Sequence, residues 1–288
     1  MTATTLDIFE TERPRLIAVA YRMLGERAAA EDIVQEVWLR WSEAAVSDIV
    51  TPAGWLHRVT TRLAIDALRS ARHRREVYVG PWLPEPLVQG SHDSSEDSFA
   101  LAQECQLALL WAMERLTPEE RAAFILRQVF EADYSELAEL LGRSEAACRQ
   151  LVSRAGRQLR SVRPRFRPDP EQTATMLARF VKAAAAQDHD AVLSLLAPDV
   201  TAISDGGGKV RAFHRPLLGA EEVAQVLLSI AAKQAASIGL KVVDANGTPA
   251  LAILDGAEYD MIFTLTTNLE GLIDWIYIMR NPDKLPPR

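Results

Sequence analysis

Asp133–Arg160 reads DYSELAELLGRSEAACRQLVSRAGRQLR, and this stretch decides how the chain is understood. A helix opens at Asp133 or Ser135, carries Leu137, Ala138, Leu140 and Leu141, and stops at Gly142, the residue that tolerates a left-handed turn. Ser144 is placed to cap a second helix. At about 100° per residue, Cys148, Leu151, Val152, Ala155 and Leu159 share one arc, and Arg149, Gln150, Ser153, Arg154, Arg157 and Arg160 share the other. The pattern predicts a helix-turn-helix whose second helix packs on one side and offers guanidinium groups on the other. That geometry presents the second helix to the DNA major groove, where Arg and Gln make paired hydrogen bonds to guanine and adenine edges. Taken alone, the same stretch also fits a solvated charged face.

A length of 288 residues suits about two domains, and three small ones would fit. With 48% apolar and 25% charged residues, the composition is that of a soluble globular chain. No apolar run reaches the roughly 20 residues that cross a bilayer. Met1–Thr11 has neither the basic start nor the apolar core of a signal peptide, so the expected location is cytoplasmic. Cys105 and Cys148 have no metal-ligand spacing and are expected to be buried thiols; no metal or cofactor is called for. A net charge of −7 argues against a general nucleic-acid coat. Arginines nevertheless cluster in Arg58–Arg75 and Arg143–Arg167, so DNA binding at chosen faces remains open. The absence of lysine before Lys182 fits either a coding bias or a use of planar guanidinium forks.

Upstream, helices are expected over Phe9–Leu24 and Ala28–Glu43. In the second, Ile33, Val34, Val37, Trp38 and Trp41 form the apolar stripe, and Glu31, Asp32, Gln35 and Glu36 form a polar, mostly acidic edge. Pro52 and Gly54 leave Ala45–Ala53 as a loop before a long helix from Trp55 to about Arg75. There Arg58, Arg62, Arg69 and Arg72 recur on one stripe, which suits a phosphate backbone or the unpaired bases beside it. Asp66 is expected to pair with Arg62 or Arg69. In Val79–Gln89, VGPWLPEPLVQ, three prolines enforce an extended chain, and the polar, acidic Ser91–Ser98 follows as a linker. A pure spacer has no use for Trp82, Leu83 and Leu87, which are expected to dock. Phe99–Leu116 reads as helical, and Thr117, Pro118 and Glu120 form a capping box for a helix over Glu119–Phe130.

After a second proline-rich linker at Arg160–Pro170, the chain changes character. Helices are expected at Glu171–Gln187, His189–Leu196 and Ala220–Ala236. Strands are expected at Leu240–Ala245, Ala250–Asp255, Tyr259–Asn268 and Leu272–Met279. This predicts an α+β domain of helices on a curved antiparallel sheet.

Three segments in order, EDIVQEVWLRW (Glu31–Trp41), WLHRVTTRLAIDALRSARHRRE (Trp55–Glu76) and Met113–Arg160, closely resemble the extracytoplasmic-function sigma factors of bacterial RNA polymerase. WLPEPL, DGGGK and NPDKL resemble the marks of the subgroup with a fused SnoaL-like domain. The resemblance implies two all-α sigma domains, region 2 over 1–78 and the region 4 helix-turn-helix over 99–165. They are joined by a linker over 79–98 and followed by an α+β SnoaL-like cone over 171–288. It further implies that Glu31, Asp32, Gln35 and Glu36 meet the clamp helices of core polymerase. The loop Ala45–Ala53 and the helix through Arg58, Arg62, Arg69 and Arg72 would recognise and melt the minus-ten element. The helix Glu145–Leu159 would read the minus-thirty-five element through Arg149, Gln150, Ser153, Arg154 and Arg157. Gly156 departs from the pattern, where a strong helix former is usual.

The three marks are the expected regulatory contacts: Trp82, Leu83, Pro84, Glu85, Pro86 and Leu87 in the linker; Asp205, Gly206, Gly207, Gly208 and Lys209 in a tight loop; and Asn281, Pro282, Asp283, Lys284 and Leu285 near the end. Asp205–Lys209 is expected to dock near Trp82–Leu87. The implied partners are core RNA polymerase and promoter DNA, without a membrane and with one acting copy; a small molecule in the cone is open. Two other readings stand beside this one. SnoaL-like cones include isomerases and cyclases with a carboxylate base in an apolar pocket, which Asp205, His214, Asp260 and Trp275 could furnish, although a non-enzyme is preferred. A repressor-type protein would bind DNA tightly without polymerase.

Overall fold

The computed structural model describes residues 5–45, 49–75, 78–89, 99–100, 102, 105–162, 169–234 and 238–286. They fall into two compact units, one of residues 1–76, 94–105 and 109–164, the other of 77–93, 106–108 and 165–288. The two groups of sigma-like helices thus share a unit, and the proline-rich linker belongs with the C-terminal domain.

The first unit opens with α1 (Thr5–Leu24), α2 (Arg27–Glu43) and α3 (Pro52–Arg75). Leu16–Leu24 of α1 is continuously buried, as is Trp41 of α2, whose indole N–H donates to the Thr5 carbonyl at 2.9 Å. The expected break at Pro52 and Gly54 is instead the first turn of α3. Proline is accommodated there because a first-turn N–H has no helical partner to lose. The loop is therefore shorter than Ala45–Ala53, and residues 46–48 lie outside the described set. The expected continuous helix over Phe99–Leu116 is also corrected: Cys105 sits in a bend, and α4 covers Leu107–Met113.

Local signals then place α5 (Pro118–Gln128), α6 (Tyr134–Leu141) and α7 (Glu145–Val162) close to expectation. Thr117 and Asp133 each complete a reciprocal capping box, with Glu120 and Glu136 respectively. Gly142 ends α6 at φ 62°, and the Ser144 hydroxyl accepts from Ala147 N at 3.2 Å to start α7. Leu137, Cys148 and Val152 close this helix pair over Ala123 and Leu126 of α5.

The second unit contains α8 (Pro170–Ala185), α9 (His189–Leu195) and α10 (Ala220–Gln234). Its strands are β1 (Leu196–Asp205), β2 (Leu217–Leu218), β3 (Ile238–Ala245), β4 (Thr248–Asp255), β5 (Glu258–Thr267) and β6 (Ile273–Met279). The sheet order is β2-β1-β6-β5-β4-β3. The α+β class is as expected, with one amendment: β1 runs parallel to β6, so the sheet is not wholly antiparallel. Sequence reading missed β1 because Pro198 and Asp199 interrupt its alternation, and the β1–β6 register shifts between Leu196 and Thr201. Phe180 and Leu177 of α8 and Leu227 of α10 pack on Leu251, Phe263 and Ile276 of the sheet. The Asn246–Gly247 turn joins β3 to β4 with both residues at positive φ (56° and 69°), which matches the twist of a two-residue hairpin.

Gly142→Ala tests the helix-turn-helix alone. No atom lies within 4 Å of an added Cβ, so the penalty is purely conformational. The expected loss is ~1 kcal/mol, read as a lower denaturation midpoint.

Candidate functional site

On α7 the packed arc is closed and the opposite arc is open. Cys148, Val152, Ala155 and Leu159 are buried, while Arg149, Gln150, Ser153, Arg154 and Arg157 are exposed. Arg149 also pairs with Glu145 at 3.3 Å and lies over the Tyr134 ring at 5.2 Å. The Arg160 side chain is outside the described residues.

The α3 stripe is differently placed. Arg62 is exposed, but Arg58 pairs with Glu139 of α6, and Arg69 pairs with both Asp66, at 3.1 Å, and Glu119 of α5. The hydrogen bond to Glu119 raises the Arg69 pKa. Burial opposes ionisation of Glu119, yet the bonds from Arg69 and its own backbone amide hold the carboxyl below its ordinary range. The Arg72 side chain lies outside the described residues. Along α2, Asp32 and Gln35 are exposed, while Glu31 and Glu36 pair with Arg27 and Arg40 at 3.3 and 2.8 Å. The apolar side of α2 buries Ala30, Val34, Val37 and Trp41. Burial raises the pKa of both thiols, against the pull of Arg22 and Arg121 on Cys105 and of Arg143 and Arg149 on Cys148.

In the second unit the three motifs converge on Asp205, at the end of β1 and fully buried. Its carboxylate accepts from the Tyr78 hydroxyl at 2.5 Å, Leu83 N at 2.9 Å, Gly207 N at 3.0 Å and Lys284 Nζ at 2.8 Å. Lys284 also donates to the Leu83 carbonyl at 2.7 Å, and its ammonium lies 4.2 Å from the Trp82 ring centre. Asn281 donates to the Tyr78 hydroxyl at 2.9 Å. Gly207, at φ 64°, leaves no space for a Cβ, which would fall 2.5 Å from the Asn281 side chain. Lys209 meets Asp283 at 2.6 Å on the exposed rim.

Within the linker, Leu83, Pro84, Pro86 and Leu87 are buried, and Glu85 is half-buried. Among the last motif's residues, Pro282 is exposed, whereas Leu285 N donates to the Asn281 carbonyl at 3.2 Å. Further along, Leu87 N donates to Asn246 Oδ1 at 2.8 Å, Asn246 N to the Leu87 carbonyl at 3.0 Å and Gln89 N to the Asp244 carbonyl at 3.0 Å. The linker thereby extends the β3 end of the sheet through a bridge between Val88 and Ala245. Tyr78 and Asn246 were not singled out as contacts by sequence reading; an aromatic beside a proline-rich run was the available signal for Tyr78.

A cavity of about 500 Å³ opens between α8, α10 and the sheet. Asp205, His214, Asp260 and Trp275 do not line it: Asp205 is held in the linker contact, Asp260 pairs with Arg280 at 2.8 Å and His214 is exposed.

Residues 8–74 match the family described as Sigma-70 region 2, and residues 106–159 match Sigma-70, region 4. The chain is 38% identical to the ECF RNA polymerase sigma factor SigJ of Mycobacterium tuberculosis, across 96% of this chain and 91% of that one. It is 32% identical to the probable ECF RNA polymerase sigma factor SigI of the same species, across 97% of this chain and 94% of that one. The crystal structure of the M. tuberculosis extracytoplasmic function sigma factor SigJ superposes with a TM-score of 0.76 at 35% identity, covering 96% of both chains.

Lys284→Met strands the buried Asp205 carboxylate and is expected to cost about 3–5 kcal/mol in chemical denaturation. Adding Asp205→Asn should recover a substantial part of that loss, because no uncompensated charge then remains buried.

Proposed function

We propose how this chain, which belongs to the extracytoplasmic-function RNA polymerase sigma factors, performs promoter recognition. Core polymerase meets the acidic edge of α2 through Glu31, Asp32, Gln35 and Glu36. Arg149, Gln150, Ser153, Arg154 and Arg157 of α7 read the minus-thirty-five element. Arg58, Arg62, Arg69 and Arg72 of α3 grip the minus-ten element. The open arginine arc of α7, backed by a closed apolar arc, is the observation that carries this reading.

Polymerase tethers both reading faces at fixed spacing, so two weak contacts act together through effective concentration. Melting follows from capture of unstacked bases, each worth about 1–3 kcal/mol. Equal affinity for closed and open DNA would melt nothing.

The pairs Arg58–Glu139 and Arg69–Glu119 support a further element of the reading. In the free chain these two arginines already have carboxylate partners, so DNA must compete for them and binding without polymerase is weak. A stand-alone repressor would instead bind tightly. The linker contacts support a regulatory role for the C-terminal domain, exerted through Trp82–Leu87 on the spacing of the reading faces. The placement of Asp205, Asp260 and His214 outside the apolar cavity favours a regulator, with a small molecule as its occupant, over an isomerase. The chain acts in the cytoplasm as one copy per polymerase; among the described residues no helix is long and apolar enough to cross a membrane.

Run-off transcription with bacterial core enzyme tests the whole. RNA synthesis is expected only when both are present, and Arg154→Ala should reduce it about tenfold at a promoter with an intact minus-thirty-five element. A chain that neither associates with core enzyme nor starts RNA overturns the reading. Glu119→Gln with Glu139→Gln should raise the affinity of the free chain for promoter DNA by about threefold to tenfold, measured by fluorescence anisotropy at low salt.

A further inference from the structure

The cavity between α8, α10 and the sheet has a chemistry that narrows its occupant. Protein interiors rarely leave gaps larger than a water molecule, and this one, at about 500 Å³, is within the usual range of small-molecule sites. Its walls come from Phe180 of α8, Leu227 and Ile230 of α10, and Leu251, Met261 and Phe263 of the sheet. Water placed there would find few hydrogen-bonding partners, so an apolar occupant is favoured. No Asp, Glu, His, Lys or Arg is among the described residues lining it. A carboxylate or ammonium would enter without a counter-charge and lose its hydration.

One polar side chain, Gln187, stands at the mouth, held at φ 53° just beyond the end of α8. Its amide nitrogen donates to the Ala184 carbonyl at 3.0 Å and the Leu228 carbonyl at 3.2 Å. Those two bonds fix the amide orientation and occupy its donors, leaving the amide oxygen to offer a ligand. Deeper in, Phe180 and Phe263 stack with ring centres 5.4 Å apart and planes 19° apart, giving a flat aromatic wall.

We propose that this cavity binds an uncharged, mainly apolar small molecule with a flat or extended body and a single hydroxyl or N–H directed at Gln187. The proposal deepens the reading of the C-terminal domain as a regulator with a small-molecule occupant. It is tested independently of transcription.

N-phenyl-1-naphthylamine, a neutral aromatic amine whose emission rises in apolar surroundings, is titrated into the full chain. Saturable binding of one dye per chain is expected, with displacement by 1-dodecanol. Sodium dodecanoate and dodecylammonium, at the same concentration below micelle formation, should displace at least tenfold less well. Ala231→Trp, which fills the space from α10, should weaken dye binding at least tenfold while far-ultraviolet circular dichroism stays unchanged. If that variant does not fold, Ile230→Phe provides the same comparison with a smaller intrusion. Non-saturable dye binding, equal displacement by the charged amphiphiles, or unchanged affinity in a folded cavity-filled variant each overturns the proposal. Absent dye binding with intact transcription removes the ligand site alone; intact dye binding without transcription removes the sigma-factor reading alone.

Discussion

A carboxylate withdrawn from water must be given a cation and hydrogen-bond donors, and Asp205 imposes that demand on its whole unit. No single segment of the chain satisfies it. Lys284 supplies the charge from the C-terminal end, Leu83 supplies a backbone N–H from the linker, and Tyr78 supplies a hydroxyl from just before it. Lys284 is in turn nearly buried and needs the Leu83 carbonyl and the Trp82 face. The linker residues and the motif near the C-terminus are therefore mutually obligatory. Removing either partner of a buried pair leaves the other charge uncompensated, and here both partners bond to Leu83, so the pair holds the path of the linker.

The helical unit works on a different principle. Its scaffold charge is internal: Arg121 is fully buried, donates to the Arg22 carbonyl at 2.9 Å and pairs with Glu114. The arginines on its surface are paired where water still reaches them. Arg58 and Arg69 keep substantial solvent access while engaging Glu139 and Glu119. Exposed pairs of this type are individually weak, so little free energy holds either arginine to its carboxylate.

Sequence reading succeeded where structure is decided within a few residues. The two capping boxes, the left-handed Gly142 and the division of α7 into two arcs are all local consequences of residue type and spacing. It failed where the deciding contact is distant or the local signal ambiguous. Pro52 can break a helix or begin one, and only the following residues' packing shows which. Strand β1 carries Pro198 and Asp199, and its parallel neighbour β6 lies more than seventy residues away, so neither alternation nor a turn announces it. The partners of Arg58 and Arg69 stand 81 and 50 positions along the chain, beyond any helical periodicity. The docking of DGGGK near WLPEPL was suggested by their residue types, but Tyr78, an aromatic just before the prolines, Asn246, a turn residue, and the direct part taken by NPDKL become visible only when the chain is folded.

The bridge from Val88 to Ala245 gives the linker one more role. β3 is the outermost strand of the sheet, and Leu240 and Val242 on it are 56% and 64% exposed. Strand edges of this kind invite intermolecular pairing and are usually shielded. Leu87–Gln89 occupies the Ala245 end of that edge and takes up its backbone hydrogen-bonding groups there. A C-terminal fragment cut away from the preceding hundred residues would keep the Lys284 charge but lose this cover together with the Tyr78 hydroxyl and Leu83 N–H that donate to Asp205, so its β3 edge and a buried carboxylate would both be left short of partners.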